Sequence, residues 1–523
     1  MIQLAPSHIL DEFGRPLQKT AKPRSELVDA FLDAHAGRQV VDATYDAARN
    51  GDEHKNYWAN ADSYDADSAH SPAVRQPLVE RSRYEIANNG YASGIASTYA
   101  NDLIGVGPSL RMNTGSEPFN RMVETEWKRW TKAVQFRRKL WCQAHAKHTD
   151  GESFAVLRKN KNVRSRIKLD IKLYETEQVQ TPYLPYGEEG YIDGIKFDEF
   201  GNPVHYDILK HHPGSTNELH YHMTPEKVPA RFVMHWFRML RPGQHRGVPE
   251  TVSTLNLGAS ARRWREAVVA AAENIADFSI MIKTMFEPDE MDSVSPMSTL
   301  DIQKRMMTAL PAGYDAFQPK AEQPTANHAE FHKTLINEQA RPKSMPFNKA
   351  ACDSSNYNYA SGRLDHSTYY GSLDVEREDC NDLVLDPCFD VWFEHAVIEF
   401  GWLGGNPDAL TAAASAHEWD WPKHQVADIK SEASANATKL QTGETTLLDV
   451  HSAAGRDYED CLTKEAETNG ITVEQQRQIN LLRNTPSHLT NVVATIIGVQ
   501  VASQSPGLEF DQSQPEETDD DEE

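Results

Sequence analysis

Nine apolar side chains, Leu257, Ala261, Trp264, Val268, Ala271, Ile275, Phe278, Ile282 and Met285, follow one another at alternating spacings of four and three residues. That period places them on one stripe of a helix, and such a stripe is the signature of a helix that packs lengthwise on another. A helix over 253–285 would be about 50 Å long at 1.5 Å per residue. It needs a long partner, in its own chain or in a neighbouring subunit, because water would otherwise cover the whole seam.

The chain around the seam has 523 residues, 39% hydrophobic and 25% charged, enough for more than one domain with large cores. Its formal charge of −24 argues against a protein that coats DNA through an overall basic surface, although local contacts with DNA stay open. Cys142, Cys352, Cys380, Cys388 and Cys461 form no CxxC pair, so neither a disulfide framework nor a zinc site is expected. The apolar run Val492–Ala502 is broken by Gly498 and Gln500 and is too short for a membrane span. With no basic-then-apolar start either, a nonsecreted protein without membrane insertion is expected.

Residues 1–75 are polar and without sustained period, which suggests an arm with short helices. From Arg75 the pattern becomes helical, with Leu78, Tyr84, Ile95, Tyr99 and Leu103 at helix positions, Gly90 and Gly94 marking a break or close packing, and GVGP ending the run. Residues 119–148 read as a further helical region in which Trp127, Trp130, Phe136 and Trp141 are core anchors. Between 152 and 239 the period shifts to strands: SFAVLRK, IKLDIKLYE, GYIDGIKFDEFGNPVHYDILK and KVPARFVMHWF. Ile167, Leu169, Ile171 and Leu173 alternate as on a half-buried antiparallel strand. The fold class is therefore α+β. Beyond the seam come turn-rich residues with a short helix DIQKRMMTAL, a helix through Phe331, Leu335 and Ile336, and a long helical region in which Asp386 and Pro387 look like an N-cap and first helical residue. Residues 425–470 are charged and helical with breaks at Gly443 and Gly455, and the last eight residues carry seven acids, a solvated tail.

Several clusters invite an enzymatic reading and fail on spacing. His145, His148, Asp150 and Glu152 lack an HExxH pattern and read as a turn with solvated or capping side chains. His211 and His212 precede Pro213 in a loop with no neighbouring ligands to complete a metal shell. GVG at 105–107 lacks the third glycine of a dinucleotide loop, and no GxxxxGK[ST] or GxSxG occurs. Asp374, Glu376, Glu378 and Asp379 could hold Mg²⁺ as in a nuclease, but a solvated helix face is the better reading.

An ordered series of segments resembles the portal proteins of tailed bacteriophages, in their lambda-like family. These segments are RSRYEIANNGYASGIASTYANDLIGVGPSLRM at 81–112, DGESFAVL at 150–157, HWFRMLRPGQHRGVPE at 235–250 and SSNYNYASGR at 354–363. WPKHQVADIKSEASANATKLQTGETTL and GRDYEDCLTKEAETNG follow between 421 and 470. RPGQHRGVP followed by a long helix is the strongest piece, and the resemblance spans roughly 75–470.

The resemblance implies a portal fold with an α/β wing, a long-helix stem, a clip and a helical crown, and it distributes the chain accordingly. After the arm at 1–75, the wing covers 76–252, the first stem helix 253–285, the clip 286–326 and the second stem helix 327–342. A tunnel-facing connection follows at 343–363, then a helical continuation of the wing at 364–424, the crown at 425–504 and the acidic tail at 505–523. It implies a homo-oligomeric ring of about twelve copies at one capsid vertex. That ring carries double-stranded DNA without sequence specificity during packaging, retention and ejection. The implied partners are the terminase large subunit, then the head-tail connector, with major capsid and scaffold proteins around them. The implied location is the virion, reached from the host cytoplasm during assembly, and neither catalysis, cofactor nor metal is expected. Lys343, Lys349 and Arg363, with Asn356, Tyr357, Asn358 and Tyr359, are the expected channel contacts to DNA phosphates, and the nine seam residues are the expected stem packing. A head-tail adaptor and a metal-dependent nuclease are the alternatives.

Overall fold

The computed structural model describes residues 58–59, 61–180, 190–216, 224–277, 281–284, 314–317, 328–355, 357–405, 407–424, 429–453 and 458–484. The chain divides into two units, Met1–Tyr64 and Asp65–Glu523. Most of the expected arm lies outside the described residues; in the first unit the Ala61 N–H donates to the Trp58 carbonyl in a short turn. Everything below concerns the second.

Helices α1 (Pro72–Asn88) and α2 (Gly90–Ile104) are separated by Asn89, whose extended backbone interrupts the helix and whose side-chain oxygen accepts from the Tyr91 N–H to cap α2. Gly90 therefore marks a break, and α2 ends at the GVGP segment, as the sequence predicts. Strand β1 (Ser109–Met112) leads to α3 (Glu117–Ala133) and α4 (Phe136–Asp150). Trp127, Trp130 and Phe136 are buried there as core anchors, whereas Trp141 is only partly covered and donates its indole N–H to Asn101.

The strand-rich segment folds into two antiparallel sheets. β2 (Glu152–Lys159) is the centre of a three-stranded sheet, paired with β3 (Leu169–Tyr174) through Leu157 opposite Ile171. The four-stranded sheet runs β4 (Tyr191–Ile192), β5 (Ile195–Phe197), β6 (Pro203–Ile208) and β7 (Glu226–Pro229) in order. β8 (Val233–Phe237) then returns to the other edge of β2, with Ala155 opposite Met234. β3 is half-buried as its alternation predicts: Leu169 and Ile171 face the core and Lys172 faces water. β2 has no polar face because it divides two cores. Ala155 and Leu157 belong to the large helical core, while Phe154 and Val156 pack with Tyr174, Ile195, Tyr206 and Ile208. A strand buried on both faces must read as a continuous apolar run, which SFAVL is.

α5 (Leu255–Asp277) is followed by a hairpin of β9 (Met281–Thr284) and β10 (Tyr314–Phe317), then by α6 (His328–Ala340). The long seam helix is thus shorter than expected. Ile282 lies in β9 opposite Ala316, because β-branched Ile282 and Thr284 at period two favour a strand once a partner strand is available. The expected short helix at 301–310 lies outside the described residues.

α7 (Tyr359–Cys380) continues through one wide π turn, Asn381–Leu385, into α8 (Asp386–Phe400). Asp386 is consequently helical and caps nothing. Pro387 lacks an N–H and its ring crowds the preceding turn, and the π turn absorbs that clash without ending the helix. β11 (His417–Asp420) closes back on β1. Among the described residues four helices follow, α9 (Ile429–Thr442), α10 (Leu447–Ala453), α11 (Tyr458–Asn469) and α12 (Val473–Asn484); the break at Gly443 is present, and Gly455 lies outside the described residues. Among the described residues no helix is long and apolar enough to cross a membrane.

Candidate functional site

The two most distinctive sequence segments dock on each other. Gly151 has φ +90°, and a Cβ there would fall 2.1 Å from the carbonyl carbon of Val248; a Cβ on Gly247 would fall 2.2 Å from the Gly151 oxygen. Only two glycines allow backbones this close. The contact brings Arg246 and Glu152 together in the interior. The Glu152 carboxylate accepts from the Arg246 guanidinium at 2.6 Å, the Gly247 N–H at 2.9 Å and His235 Nε2 at 3.1 Å, and also from the Thr176 hydroxyl. Burial alone would raise the Glu152 pKa, but the Arg246 charge and the hydrogen bonds from His235 and Arg246 hold it well below the usual carboxylate range. Arg246 also reaches Asp193 at 2.9 Å, which Arg75 shares.

Next to it, two lysines and two glutamates form a second buried cluster where four elements meet. Lys147 on α4 pairs with Glu250, just ahead of α5, at 2.9 Å and with Glu376 on α7. Lys343, just beyond α6, pairs with Glu376 at 3.2 Å and with Glu250. His148 bonds Glu250 at 3.2 Å, the Tyr99 hydroxyl donates to Glu376 at 3.3 Å, and the Lys343 ammonium sits 3.8 Å from the centre of the Tyr99 ring. Against the effect of burial, the two ammonium groups hold Glu250 well below, and Glu376 below, the usual carboxylate range. Burial, with Lys147 nearby, pushes Lys343 below the ordinary lysine range.

These clusters correct three expectations. His145, His148 and Asp150 are the end of α4 rather than a turn, and Glu152 opens β2. Glu376 is not on a solvated face: of the four acids at 374–379, it is the one turned inward. Lys343 is 3% exposed and committed to two carboxylates, so it offers nothing to a phosphate in this structure. A buried charge is tolerable only with partners, and the sequence separates these partners by up to 229 residues.

The other expected channel residues are dispersed. Lys349 pairs with Asp102 at 2.8 Å, and Asn358 caps α7 by accepting from the Ala360 N–H. Tyr357 is half-buried with its hydroxyl on Asp365, and Arg363 is exposed on α7. Asn356 and the side chain of Tyr359 lie outside the described residues.

The seam runs along α5 as its period requires. Ala261 is buried and Leu257, Trp264, Val268 and Ala271 are half-buried, while Arg263, Val269 and Ala270 face outward. Within the chain α5 packs on α6, where the Trp264 ring stacks on His328 at 4.6 Å and meets Phe331 edge-on at 5.2 Å, and on α1, where Arg262 reaches Glu85 at 3.4 Å. The side chain of Ile275, and Phe278 and Met285 entirely, lie outside the described residues. The fold also gathers Glu175, Glu177 and His212, whose ligand atoms lie within 4.8 Å of one another. Arg83 already occupies that cluster, 2.7 Å from Glu177 and 3.3 Å from Glu175, so it is an ion-pair network in which a guanidinium supplies the positive charge.

The docked segments, the first three elements of the lysine–glutamate cluster and the α5–α6 pair all fall inside residues 52–375, which match the family model described as phage portal protein, lambda family. The chain belongs to that family. It is similar to a probable portal protein of Halomonas phage phiHAP-1, 23% identical over 425 residues that cover 75% of this chain and 80% of the relative. Among solved structures it is similar to a chain in the neck of a native gene transfer agent particle computed with C12 symmetry, at 14% identity, 74% and 94% coverage and a TM-score of 0.40. A chain in the virion of the native gene transfer agent particle is similar at 13% identity, 72% and 93% coverage and a TM-score of 0.38.

Proposed function

We propose that this portal-family protein assembles into a closed ring of about twelve copies at one capsid vertex and conducts double-stranded DNA during packaging, retention and ejection. The match of residues 52–375 to the portal family carries this reading. In it, the α5–α6 pair is the stem, the segment between its two helices the clip, the two sheets with α1–α4, α7 and α8 the wing, and α9–α12 the crown. The terminase large subunit docks during packaging and the head-tail connector replaces it, with capsid and scaffold proteins around the ring in the virion.

The charge of the chain suits a conduit. A ring of strongly acidic subunits repels the duplex along most of its path, and a few basic side chains touch phosphates without reading bases. Arg363, exposed on α7, is the foremost of these, followed by Lys349, Tyr357 and Asn358. The protein acts as structure rather than as an enzyme; purified protein incubated with duplex DNA and Mg²⁺ or Mn²⁺ leaves the DNA intact.

Cryo-electron microscopy of the purified protein, classified without imposed symmetry, tests ring closure and the channel together. Closed rings near twelvefold with a duplex-wide hole are expected. Monomers or compact dimers without a channel would refute the reading.

A further inference from the structure

Two surface patches of opposite charge lie on the second unit, and each is only partly paired among the described residues. The end of β2 and the loop joining it to β3 carry Lys159, Lys161, Arg164, Arg166 and Lys168, all exposed, in a chain whose net charge is −24. The loop is built rather than loose. Val163 and Ile167 are buried beneath it, Asn160 Nδ2 donates to Asp170 at 2.8 Å and Lys168 Nζ donates to the Val163 carbonyl at 2.9 Å.

The second patch is an open groove of about 840 Å³ between the α7–α8 junction, the helix Pro407–Ala414 and β11. Glu378, Asp382, Asp386, Asp390, Glu394 and Glu418 line it. Arg231 reaches Glu394 at 2.6 Å, His417 reaches Asp386 at 3.1 Å and Arg111 approaches Glu418 at 4.0 Å. Among the described residues, no cation stands within ion-pair distance of Glu378, Asp382 or Asp390.

Among the described residues no loop cation pairs with an acid of the groove. Arg166 is held at the far end of α8, 3.8 Å from Glu399 and over the Phe400 ring at 4.4 Å. Asp390 is ten residues back along that helix, about 15 Å away, and Asp386 and Asp382 are farther still. Two complementary patches displaced along one rigid element are what a head-to-tail contact between identical chains requires, and repetition of such a contact closes a ring.

We propose that the basic β2–β3 loop of one copy inserts into the acidic groove beside α8 of the next. The occupant is a second copy of this chain. Duplex DNA could meet the loop but never the acidic groove, whereas a neighbouring copy satisfies both. The inference rests on the ring reading above and adds where adjacent subunits recognise each other.

Native mass spectrometry of the full chain at low ionic strength tests it with Lys161→Glu/Arg164→Glu in the loop and Asp382→Lys/Asp390→Lys in the groove. All four side chains are exposed, and far-UV circular dichroism checks that each variant keeps its fold. Each variant alone should require at least about tenfold more protein to form rings, because the two introduced charges in every contact face like charges of the partner patch. An equimolar mixture should assemble near the wild-type concentration, since an alternating ring sets the introduced glutamates of each substituted loop against the introduced lysines of a substituted groove and leaves every other contact as in the wild type. Wild-type assembly by either folded variant, or a mixture that fails to recover, would overturn the proposal while wild-type rings leave the portal reading standing. A wild-type chain that forms no rings would remove both.

Discussion

Replacing Lys343 with methionine nearly preserves side-chain volume and removes one charge from a cluster that holds two of each sign. Glu250 and Glu376 are left sharing Lys147, with an uncompensated negative charge in a buried site. Breaking one partner out of a buried ion pair costs about 3–5 kcal/mol, and that loss is expected at pH 7 in urea unfolding followed by tryptophan fluorescence. In the wild type both glutamates have folded pKa values below their unfolded ones, so their contribution is present above the unfolded value, about 4.3, and is lost as pH falls through the folded values. In the variant one carboxyl is driven to take up a proton, its folded pKa rises above the unfolded one, and the variant gains stability as pH falls. The gap between the two proteins should therefore narrow from pH 7 to pH 5. Adding Glu376→Leu restores the charge balance and should recover more than half of the loss. A surface lysine facing DNA would behave differently, within about 0.5 kcal/mol of wild type and with no change in pH slope. A loss under about 1 kcal/mol, or a gap independent of pH, would refute the buried-cluster argument.

Gly151→Ala and Gly247→Ala each place a methyl group inside backbone atoms of the partner segment, and each should cost more than about 3 kcal/mol and leave little soluble protein; soluble expression at wild-type yield would contradict the docking. His417 has its pKa raised: burial acts against this, but the Asp386 and Ala414 hydrogen bonds outweigh it. Its stabilisation is full below the unfolded value, about 6.5, and is lost as pH rises through the folded one, so His417→Gln should destabilise more at pH 5.5 than at pH 8.5 in paired urea titrations. If Arg363 touches phosphate, Arg363→Ala should weaken duplex binding uniformly across sequences and lower the slope of log affinity against log salt by about 1 for each phosphate no longer neutralised; an unchanged slope would place Arg363 off the DNA path.

Local pattern alone determined a good part of this protein. The four–three spacing from Leu257 to Ala271 marks the inward stripe of α5, the alternation of Leu169 and Ile171 marks β3, and the tryptophans at 127 and 130 mark the core, because side-chain direction follows helix and strand periods directly. The ordered landmarks carried the family. Tertiary structure decided what those periods cannot encode. It placed Ile282 of the seam in β9 by supplying a partner strand, and it carried the helix through Pro387 by widening one turn. It also turned Lys343, Glu376, His148 and Glu152 inward. A charged side chain reads as solvated until its counter-charge is known, and here each counter-charge comes from a distant segment: Glu376 for Lys147, Arg246 for Glu152. Burial of an ion depends on which segments meet, and that is settled by the packing of the whole chain rather than by any window of it.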